Sequence, residues 1–158
     1  MADRRIVIAG GSGYLGQRLA AGWCAAGEQV VILSRGGRPP PHGEARRWDG
    51  ARLGDWCRAL DGADALVNLS GASIATAWDD DRRRAIRLSR LQSTFTLGRA
   101  IAACAAPPSV WINASGVAAY PDDGRPQAEG GPQDAGGFLA QVVREWERVF
   151  SDAARPGV

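Results

Sequence analysis

Three glycines spaced three residues apart are the part of this sequence whose spacing most clearly suggests chemistry. Gly10, Gly13 and Gly16 follow directly on the apolar run IVIA at residues 6–9. Large apolar residues then recur with the period of a helix, at Leu15, Leu19 and Trp23. A strand, a tight glycine turn and a helix in this order lay a pyrophosphate on the helix N-terminus. The pattern predicts dinucleotide binding, and the alternative is an ordinary glycine-rich turn.

Each glycine has its own predicted role in that turn. Gly10 allows the sharp change of direction after the strand, because glycine adopts backbone angles that other residues avoid. Gly13 lets the backbone approach a phosphate with no Cβ between them, and Gly16 lets the helix pack closely on the strand. We therefore expect three glycines with three separate functions.

Arg35 is the second candidate, because it ends the apolar run QVVILS at residues 29–34. In a dinucleotide-binding fold the residue at the tip of the second strand meets the adenosine ribose. An acidic residue there binds the 2′-hydroxyl of NAD, whereas an arginine accommodates the 2′-phosphate of NADP. The planar guanidinium suits a phosphate group. We expect NADP rather than NAD, and the alternative is a solvated arginine at a strand end.

The elements that must position these residues alternate between strands and helices. Beyond the second strand, apolar runs predict strands at 64–70 and 109–114, and residues 45–48 are a candidate for a short third strand. Helical patterns lie at 52–60, 79–104 and 138–151. Such alternation is typical of a parallel sheet with right-handed crossovers. We predict an α/β protein, a doubly wound Rossmann fold with about five parallel strands in the order 3-2-1-4-5.

The last two helical patterns also indicate which helix faces are buried. In 79–104 the predicted buried stripe consists of Leu88, Leu91, Phe95 and Ala102, with Ile101 beside it. In 138–151 it consists of Phe138, Val142, Trp146 and Val149 or Phe150.

Length and charge limit the classes of function. The chain has 158 residues, enough for one domain with a real core. Its net charge of +2 is too small to argue for nucleic acid or a membrane surface. No apolar run approaches the roughly 18–20 residues of a membrane-spanning helix, and the start of the chain does not read as a signal peptide. We expect a cytoplasmic protein.

A nucleic-acid hypothesis would start from the arginines at 82, 83, 84, 87 and 90. The acidic triplet at 79–81 precedes them, and no aromatic residues are interleaved among them. Both features weigh against nucleic-acid binding and favour a solvated helix face.

The sequence contains few side chains that could serve in nucleophilic or metal-based catalysis. Cys24, Cys57 and Cys104 are scattered without CxxC spacing, which favours small buried side chains over a disulfide framework or a zinc site. His42 is the only histidine and lies in a proline-rich loop. We predict no metal site and no histidine-based triad. All 19 basic residues are arginines, so no lysine amine can take part in chemistry.

Several short motifs together resemble a known family. They are AGGSGYLG, VVILSR, NLSG and, after the fifth predicted strand, SxxxxY. The chain resembles the extended short-chain dehydrogenase/reductases of the NAD-dependent epimerase/dehydratase family. It is most similar to an atypical epimerase-family branch related to nucleoside-diphosphate-sugar epimerases. That branch shares GASIA before a tryptophan, SR and ST pairs in an arginine-rich helix, and GGFLA with a later WE.

The resemblance implies roles for particular residues. Ser115 matches the active-site serine that hydrogen-bonds the reacting carbonyl or hydroxyl, and Tyr120 matches an aromatic residue that follows it. Asp49 would lie near the adenine, and the alternative is a turn aspartate. Tyr120 has the alternative of a strand-end tyrosine with a wet hydroxyl. With Gly16 from the glycine motif, the implied cofactor contacts are Gly10, Ser12, Gly13, Tyr14, Leu15, Gly16, Arg35, Asp49, Ser70 and Gly71.

The chain departs from the family in catalysis. The superfamily uses a YxxxK pair, in which the tyrosine is the acid/base and the lysine lowers its pKa. The corresponding helix here begins FLAQV at Phe138 and contains neither a tyrosine nor a lysine. Phe138 has no proton to transfer, although Tyr120 is available as a substitute. Cofactor binding does not depend on this pair.

The chain also departs from the family in length. Members continue with a further strand and a C-terminal substrate domain, so we expect residues 1–158 to be the NAD(P)-binding Rossmann domain without that second domain. The final RPGV resembles the turn before the missing strand. An open sheet edge after the fifth strand predicts dimerisation or poor stability.

These observations leave two hypotheses of function. The first is the NADP-binding domain of a short-chain oxidoreductase or nucleotide-sugar epimerase-like protein that acts on a sugar nucleotide or a small carbonyl compound. The second is a catalytically silent dinucleotide-binding or regulatory module, which the missing YxxxK pair favours.

Overall fold

A computed structural model describes residues 4–36 and 39–154 of the chain. Within these residues five parallel strands form one sheet in the order β3-β2-β1-β4-β5. The strands are β1 (Arg5–Ala9), β2 (Gln29–Ser34), β3 (Glu44–Arg47), β4 (Ala65–Asn68) and β5 (Val110–Asn113). The helices are α1 (Tyr14–Ala25), α2 (Asp80–Ala102) and α3 (Phe138–Ala153), with short 3₁₀ helices at Asp55–Ala59 and Val117–Ala119.

The predicted Rossmann topology is confirmed, including the strand order. The pattern at 52–60 forms the 3₁₀ helix rather than an α-helix. β4 ends at Asn68, two residues before the predicted end, because the Asn68 side chain accepts the Ser70 backbone N–H and turns the chain. The predicted turn at 155–158 lies outside the described residues.

The central strands are buried on both faces of the sheet, as continuous apolar runs predict. Alternate residues of β1 point to opposite sides, so Val7 and Ala9 join one apolar cluster and Ile6 and Ile8 join another. The first cluster lies against the 3₁₀ helix and α2, and the second includes Ala20 of α1. Cys24, Cys57 and Cys104 are partly buried free thiols packed against these clusters.

The predicted buried stripe of α2 is wrong at Phe95 and Ala102, although Leu88 and Leu91 are partly buried and Ile101 is buried. Phe95 is 56% exposed and Ala102 is also exposed. The helix instead buries a mixed polar and apolar face made of Ile86, Ser93, Thr94, Thr96, Leu97, Gly98, Ala100 and Ile101. One reason is close helix packing, since a Cβ on Gly98 would lie 2.6 Å from the Cβ of Ala153 in α3. Another is that buried hydroxyl groups on this face form hydrogen bonds across the core.

The predicted face of α3 agrees with the structure, which buries Val142 and Trp146. β5 lies at the edge of the sheet, and its Val110 and Ile112 side chains are 46% and 53% exposed. Self-association through this edge stays a prediction.

Gly16 is required by the packing of α1 on the glycine turn. A Cβ on Gly16 would lie 2.4 Å from the Cα of Gly11 and 2.6 Å from its carbonyl oxygen. Both are backbone atoms, so a methyl group would force the helix away from the turn. The predicted role of Gly16 in close packing therefore has a direct geometric basis.

We predict that Gly16→Ala lowers the free energy of unfolding by about 1–3 kcal/mol, the usual cost of overpacking. Gly22→Ala in the same helix is the matched control, because a Cβ added at Gly22 would meet no atom within 4 Å. That control should stabilise the protein by up to about 1 kcal/mol through helix propensity. Denaturant unfolding measures both, and a Gly16→Ala protein as stable as the control would contradict the packing argument.

Candidate functional site

The predicted site residues come together because the strands are parallel. Gly10, Arg35, Asp49 and Ser70 each follow the carboxyl end of a strand, from β1 to β4 respectively. Parallel strands place all their carboxyl ends at one edge of the sheet, where ligands of open α/β sheets bind.

A cleft of about 320 Å³ opens at this edge. Seven of the predicted cofactor contacts line it: Gly10, Ser12, Gly13, Arg35, Asp49, Ser70 and Gly71. Tyr14 and Leu15 begin α1 with exposed side chains and do not line it, and Gly16 lies against Gly11 below the turn. The structure thus assembles most of the predicted set around one cavity.

The glycine turn is shaped by the packing of the protein itself at Gly10. Its φ of +73° is in the left-handed region, and its N–H donates to the Leu33 carbonyl at 2.9 Å. A Cβ there would lie 2.9 Å from backbone atoms of Leu69 and Ser70. Gly13 differs, since a Cβ would meet only the Gly10 oxygen at an ordinary 3.5 Å. Close approach of a phosphate to Gly13 therefore stays a prediction.

The N-terminus of α1 carries no compensating group. Gly13 is the N-cap residue, it provides no side-chain cap, and the first turn contains no acidic residue. The first backbone N–H groups of any α-helix lack partners within the helix, and the helix dipole makes this end positive. This end of α1 can therefore bind an anion.

Arg35 lies exposed at the tip of β2 and lines the cleft. Among the described residues no carboxylate forms a salt bridge with it. Its guanidinium can therefore meet an anionic group in the cleft without first breaking an ion pair.

Asp49 shapes the turn after β3. Its Oδ1 accepts the backbone N–H groups of Ala51 at 2.8 Å and Arg52 at 2.9 Å. These two bonds stabilise the charged carboxylate and lower its pKa. The contacts fit the turn-aspartate alternative, and proximity to an adenine stays a prediction.

Sequence reasoning missed several residues that line the cleft, including Trp48, Ser89, Gln92 and Ser93. Two buried polar atoms of the cleft-lining residues, Trp48 Nε1 and Ser70 Oγ, have no hydrogen-bond partner among the described residues. Buried polar groups are normally paired, so these two atoms are exceptions among the residues that line the cleft. In the sequence, only the position of Trp48 directly before the candidate Asp49 indicated that one of these residues would lie at the cleft.

The backbone after β4 is held by α2. The Ala72 N–H donates to Ser89 Oγ at 2.9 Å, and Arg90 Nη1 donates to the Ala72 carbonyl at 3.2 Å. The Arg90 guanidinium also lies over the Trp146 ring, 5.4 Å from its centre. Burial lowers the pKa of Arg90. These contacts keep Ser70 and Gly71 at the wall of the cleft.

The structure does not bring Ser115 and Tyr120 together in this cleft. The Ser115 hydroxyl donates to the carboxylate of Glu147 in α3. The Tyr120 hydroxyl donates to the Glu129 carbonyl at 2.9 Å and faces a separate cavity of about 1080 Å³ within residues 117–136. Their catalytic roles stay predictions.

The start of α3 holds no proton-transfer group at the positions of the YxxxK pair. Phe138 packs edge-to-face on Trp78, with ring centres 5.7 Å apart, and lies under the Arg83 guanidinium. Val142, four residues later, is only 1% exposed. Both positions serve apolar packing.

The chain matches the NAD dependent epimerase/dehydratase family over residues 6–135. The chain belongs to this family. The predicted resemblance is thereby confirmed, and the curated relatives carry the epimerase-family description expected for the atypical branch. The chain is 33% identical over 158 residues to the epimerase family protein SDR39U1 of Bos taurus, and the match covers 96% of this chain and 51% of the relative. It is also 33% identical over 159 residues to the epimerase family protein Mb2239 of Mycobacterium bovis, covering 99% of this chain and 51% of that protein.

Solved structures show the same fold. The crystal structure of human SDR39U1 with NADPH has a TM-score of 0.78 and 28% identity, covering 92% of this chain and 48% of that one. A nucleoside-diphosphate sugar epimerase from Corynebacterium glutamicum has a TM-score of 0.71 and 32% identity, covering 96% of this chain and 32% of that one. The chain thus spans about half the length of the curated relatives that it matches.

Metal binding and membrane crossing find no support within residues 4–36 and 39–154. These residues hold no group of three or more His, Cys, Asp and Glu side chains placed to bind a metal ion. They also contain no helix with the length and apolarity that a membrane crossing requires.

The lowered pKa of Asp49 predicts a pH-dependent contribution to stability. A carboxyl group whose folded pKa lies below its unfolded value stabilises the protein above the unfolded pKa, near 3.8, and loses this effect as the pH falls through the folded pKa. Asp49→Asn should therefore lower the unfolding midpoint at pH 7, with the difference from the wild type shrinking below about pH 4. Asp55→Asn is the control, because the exposed Asp55 carboxylate forms only a loose surface ion pair, 3.7 Å from Arg58 Nη2, and pairs of this kind contribute little to stability. A pH-independent difference for Asp49→Asn would contradict the assignment.

Proposed function

We propose that residues 1–158 form the NADP-binding domain of a short-chain oxidoreductase or nucleotide-sugar epimerase-like protein. The observation that carries the proposal is the cleft itself. It joins the glycine turn at Gly10–Gly13, the strand-end Arg35 and the Ser70–Gly71 segment around one cavity of about 320 Å³.

The residues present fit a dinucleotide. The uncapped N-terminus of α1 suits the pyrophosphate, because its free N–H groups and positive dipole favour anions. Arg35 suits the 2′-phosphate of NADP, for which a guanidinium provides paired donors. When bound, the nicotinamide would supply hydride transfer.

The relatives support the choice of cofactor and substrate class. The human protein SDR39U1 was solved with NADPH, and the Corynebacterium glutamicum protein is described as a nucleoside-diphosphate sugar epimerase. For this chain we therefore propose NADP as the cofactor and a sugar nucleotide as the substrate, with a small carbonyl compound as the second candidate. In this proposal Ser115 would orient the substrate, and Tyr120 would exchange a proton with it.

A catalytically silent dinucleotide-binding module is the second candidate function. It is favoured by Phe138 and Val142, which pack where the superfamily has its tyrosine and lysine. The Tyr120 hydroxyl also donates to a backbone carbonyl, so it must exchange that partner before it can serve a substrate.

One experiment separates the two candidates. The chain is titrated with NADPH and NADH. Turnover is then followed as oxidation of bound NADPH with a panel of carbonyl compounds, and as conversion to the epimer with sugar nucleotides, because epimerisation regenerates the cofactor and gives no net oxidation. Tight NADPH binding with turnover supports the oxidoreductase or epimerase, and binding without turnover supports the silent module. No binding of either nucleotide would contradict both.

We predict that Arg35→Asp weakens NADPH binding by about tenfold or more, because charge-assisted hydrogen bonds contribute about 1.5–3 kcal/mol. NADH binding should change much less, since NADH lacks the 2′-phosphate. Arg99→Asp, an exposed arginine of α2 outside the cleft, controls for net charge. Calorimetric titration measures the affinities of the wild type and both variants for each nucleotide, and an equal loss for NADPH and NADH in Arg35→Asp would contradict the 2′-phosphate role.

A further inference from the structure

The hydroxyl group of Thr94 lies at the centre of a buried network that joins β4 and β5 to α2 and α3. Trp146 Nε1 donates to Thr94 Oγ1 at 2.8 Å, and Asn68 Nδ2 donates to the same oxygen at 3.1 Å. Thr94 Oγ1 in turn donates to Asn113 Oδ1 at 3.2 Å. A hydroxyl has one proton and two lone pairs, so Thr94 uses its full capacity. We call these four residues the Thr94 network.

The Thr94 network fixes the orientation of the Asn68 side-chain amide. Asn68 is fully buried, and its Nδ2 donates both to Thr94 and to Asn113 Oδ1, the latter at 2.7 Å. Its Oδ1 is therefore turned toward Ser70, whose backbone N–H it accepts at 3.0 Å. A flipped amide would place its oxygen against the Asn113 oxygen and its NH₂ group against the Ser70 N–H.

The bond from Asn68 to Ser70 begins the Ser70–Gly71 segment, which lines the cleft. We propose that Thr94 is a positioning residue for the dinucleotide: its hydroxyl orients Asn68, and Asn68 holds the Ser70–Gly71 segment at the wall of the cleft. Thr94 itself is fully buried and is not among the residues that line the cleft. The expected effect of Thr94 on NADPH affinity rests on the proposed NADP-binding function. The hydrogen bonds that position the Ser70–Gly71 segment do not depend on that function.

Trp146 links this support to α3. Its indole N–H anchors the Thr94 hydroxyl, and its ring lies beneath the Arg90 guanidinium. Arg90 donates to the carbonyl of Ala72, directly after Gly71. Trp146 therefore contacts both Thr94 and Arg90, and each of these supports the Ser70–Gly71 segment. A displacement of α3 would for this reason also move the wall of the cleft.

A purely structural role would give a different result from a positioning role. Removal of the Thr94 hydroxyl leaves the Trp146 N–H without its acceptor. It also removes the hydrogen bond from Asn68 Nδ2 to Thr94, which is one of the two bonds that orient Asn68. If Thr94 has a positioning role, the hydrogen bond from the Ser70 N–H to Asn68 Oδ1 then opens more often, in addition to any general loss of stability. Leu97→Ala is the matched control, because Leu97 is a fully buried residue of the same helix in the apolar cluster and outside the Thr94 network.

The test compares Thr94→Val, which removes the hydroxyl but keeps the shape, with Thr94→Ser, which keeps the hydroxyl. Amide hydrogen exchange of Ser70 is measured by NMR relative to that of Val7 in β1, and NADPH affinity is measured by calorimetry. For Thr94→Val we expect Ser70 exchange to rise about tenfold relative to Val7 and the NADPH Kd to rise about five- to tenfold, the scale of one lost buried hydrogen bond. Thr94→Ser should keep both values within about twofold of the wild type. Leu97→Ala opens a cavity in the core and destabilises the whole protein, so it should not raise Ser70 exchange relative to Val7, and its NADPH Kd should stay within about twofold of the wild type.

Unchanged Ser70 exchange in Thr94→Val would overturn the positioning role. Faster exchange with an unchanged NADPH Kd would overturn its connection to the cofactor, as would an equal loss of affinity in Leu97→Ala. If the wild type binds no NADPH, the proposed function fails, while the exchange measurement still decides whether Thr94 positions Ser70. Should Thr94→Val not fold, Thr94→Ala takes its place with the same expectations, because it removes the same hydroxyl without placing a methyl group against the Trp146 N–H and the Asn68 amide.

Discussion

The contact between the backbone of Gly11 and the start of α1 at Gly16 is the constraint on which the rest of the site depends. It is so close that no side chain fits at Gly16, and it sets the direction of α1 relative to β1. The uncapped end of the helix therefore faces the edge where all five described strands end. The parallel sheet then brings Arg35, Asp49 and Ser70 to the same edge without requiring any direct contact among them.

Binding a dinucleotide and using it in a reaction would depend on different residues of this chain. The features that favour binding belong to the backbone and to the strand ends, and the structure assembles them in one cleft. The features needed for proton transfer are different, since the start of α3 contains neither a tyrosine nor a lysine and Phe138 and Val142 serve apolar packing there. Ser115 and Tyr120 each have other hydrogen-bond partners outside the cleft. Family membership therefore supports the fold and the cofactor more strongly than it supports a reaction.

The sequence predicted the glycine turn and the buried face of α3, because each depends on local periodicity or on one backbone requirement. It predicted the strand order because alternating strands and helices are typical of a doubly wound parallel sheet. It failed on α2, where hydrophobic periodicity placed Phe95 inside. The true buried face is organised by Thr94 and Gly98, whose partners in β4, β5 and α3 are distant in sequence. Polar contacts of this kind depend on the completed fold, so no pattern of apolar residues reveals them. Trp48 and Ser89 were missed as cleft residues for the same reason.

The most direct test of the account is an NMR titration of the ¹⁵N-labelled chain with NADPH. Binding to the glycine turn predicts the largest changes at the backbone amides from Gly10 to Gly16 and at Ser70 and Gly71, with smaller changes at Val110 and Ile112 on the far edge strand. Saturation without changes at Gly10–Gly16, or changes centred on another surface, would contradict the assignment of this cleft as the dinucleotide site.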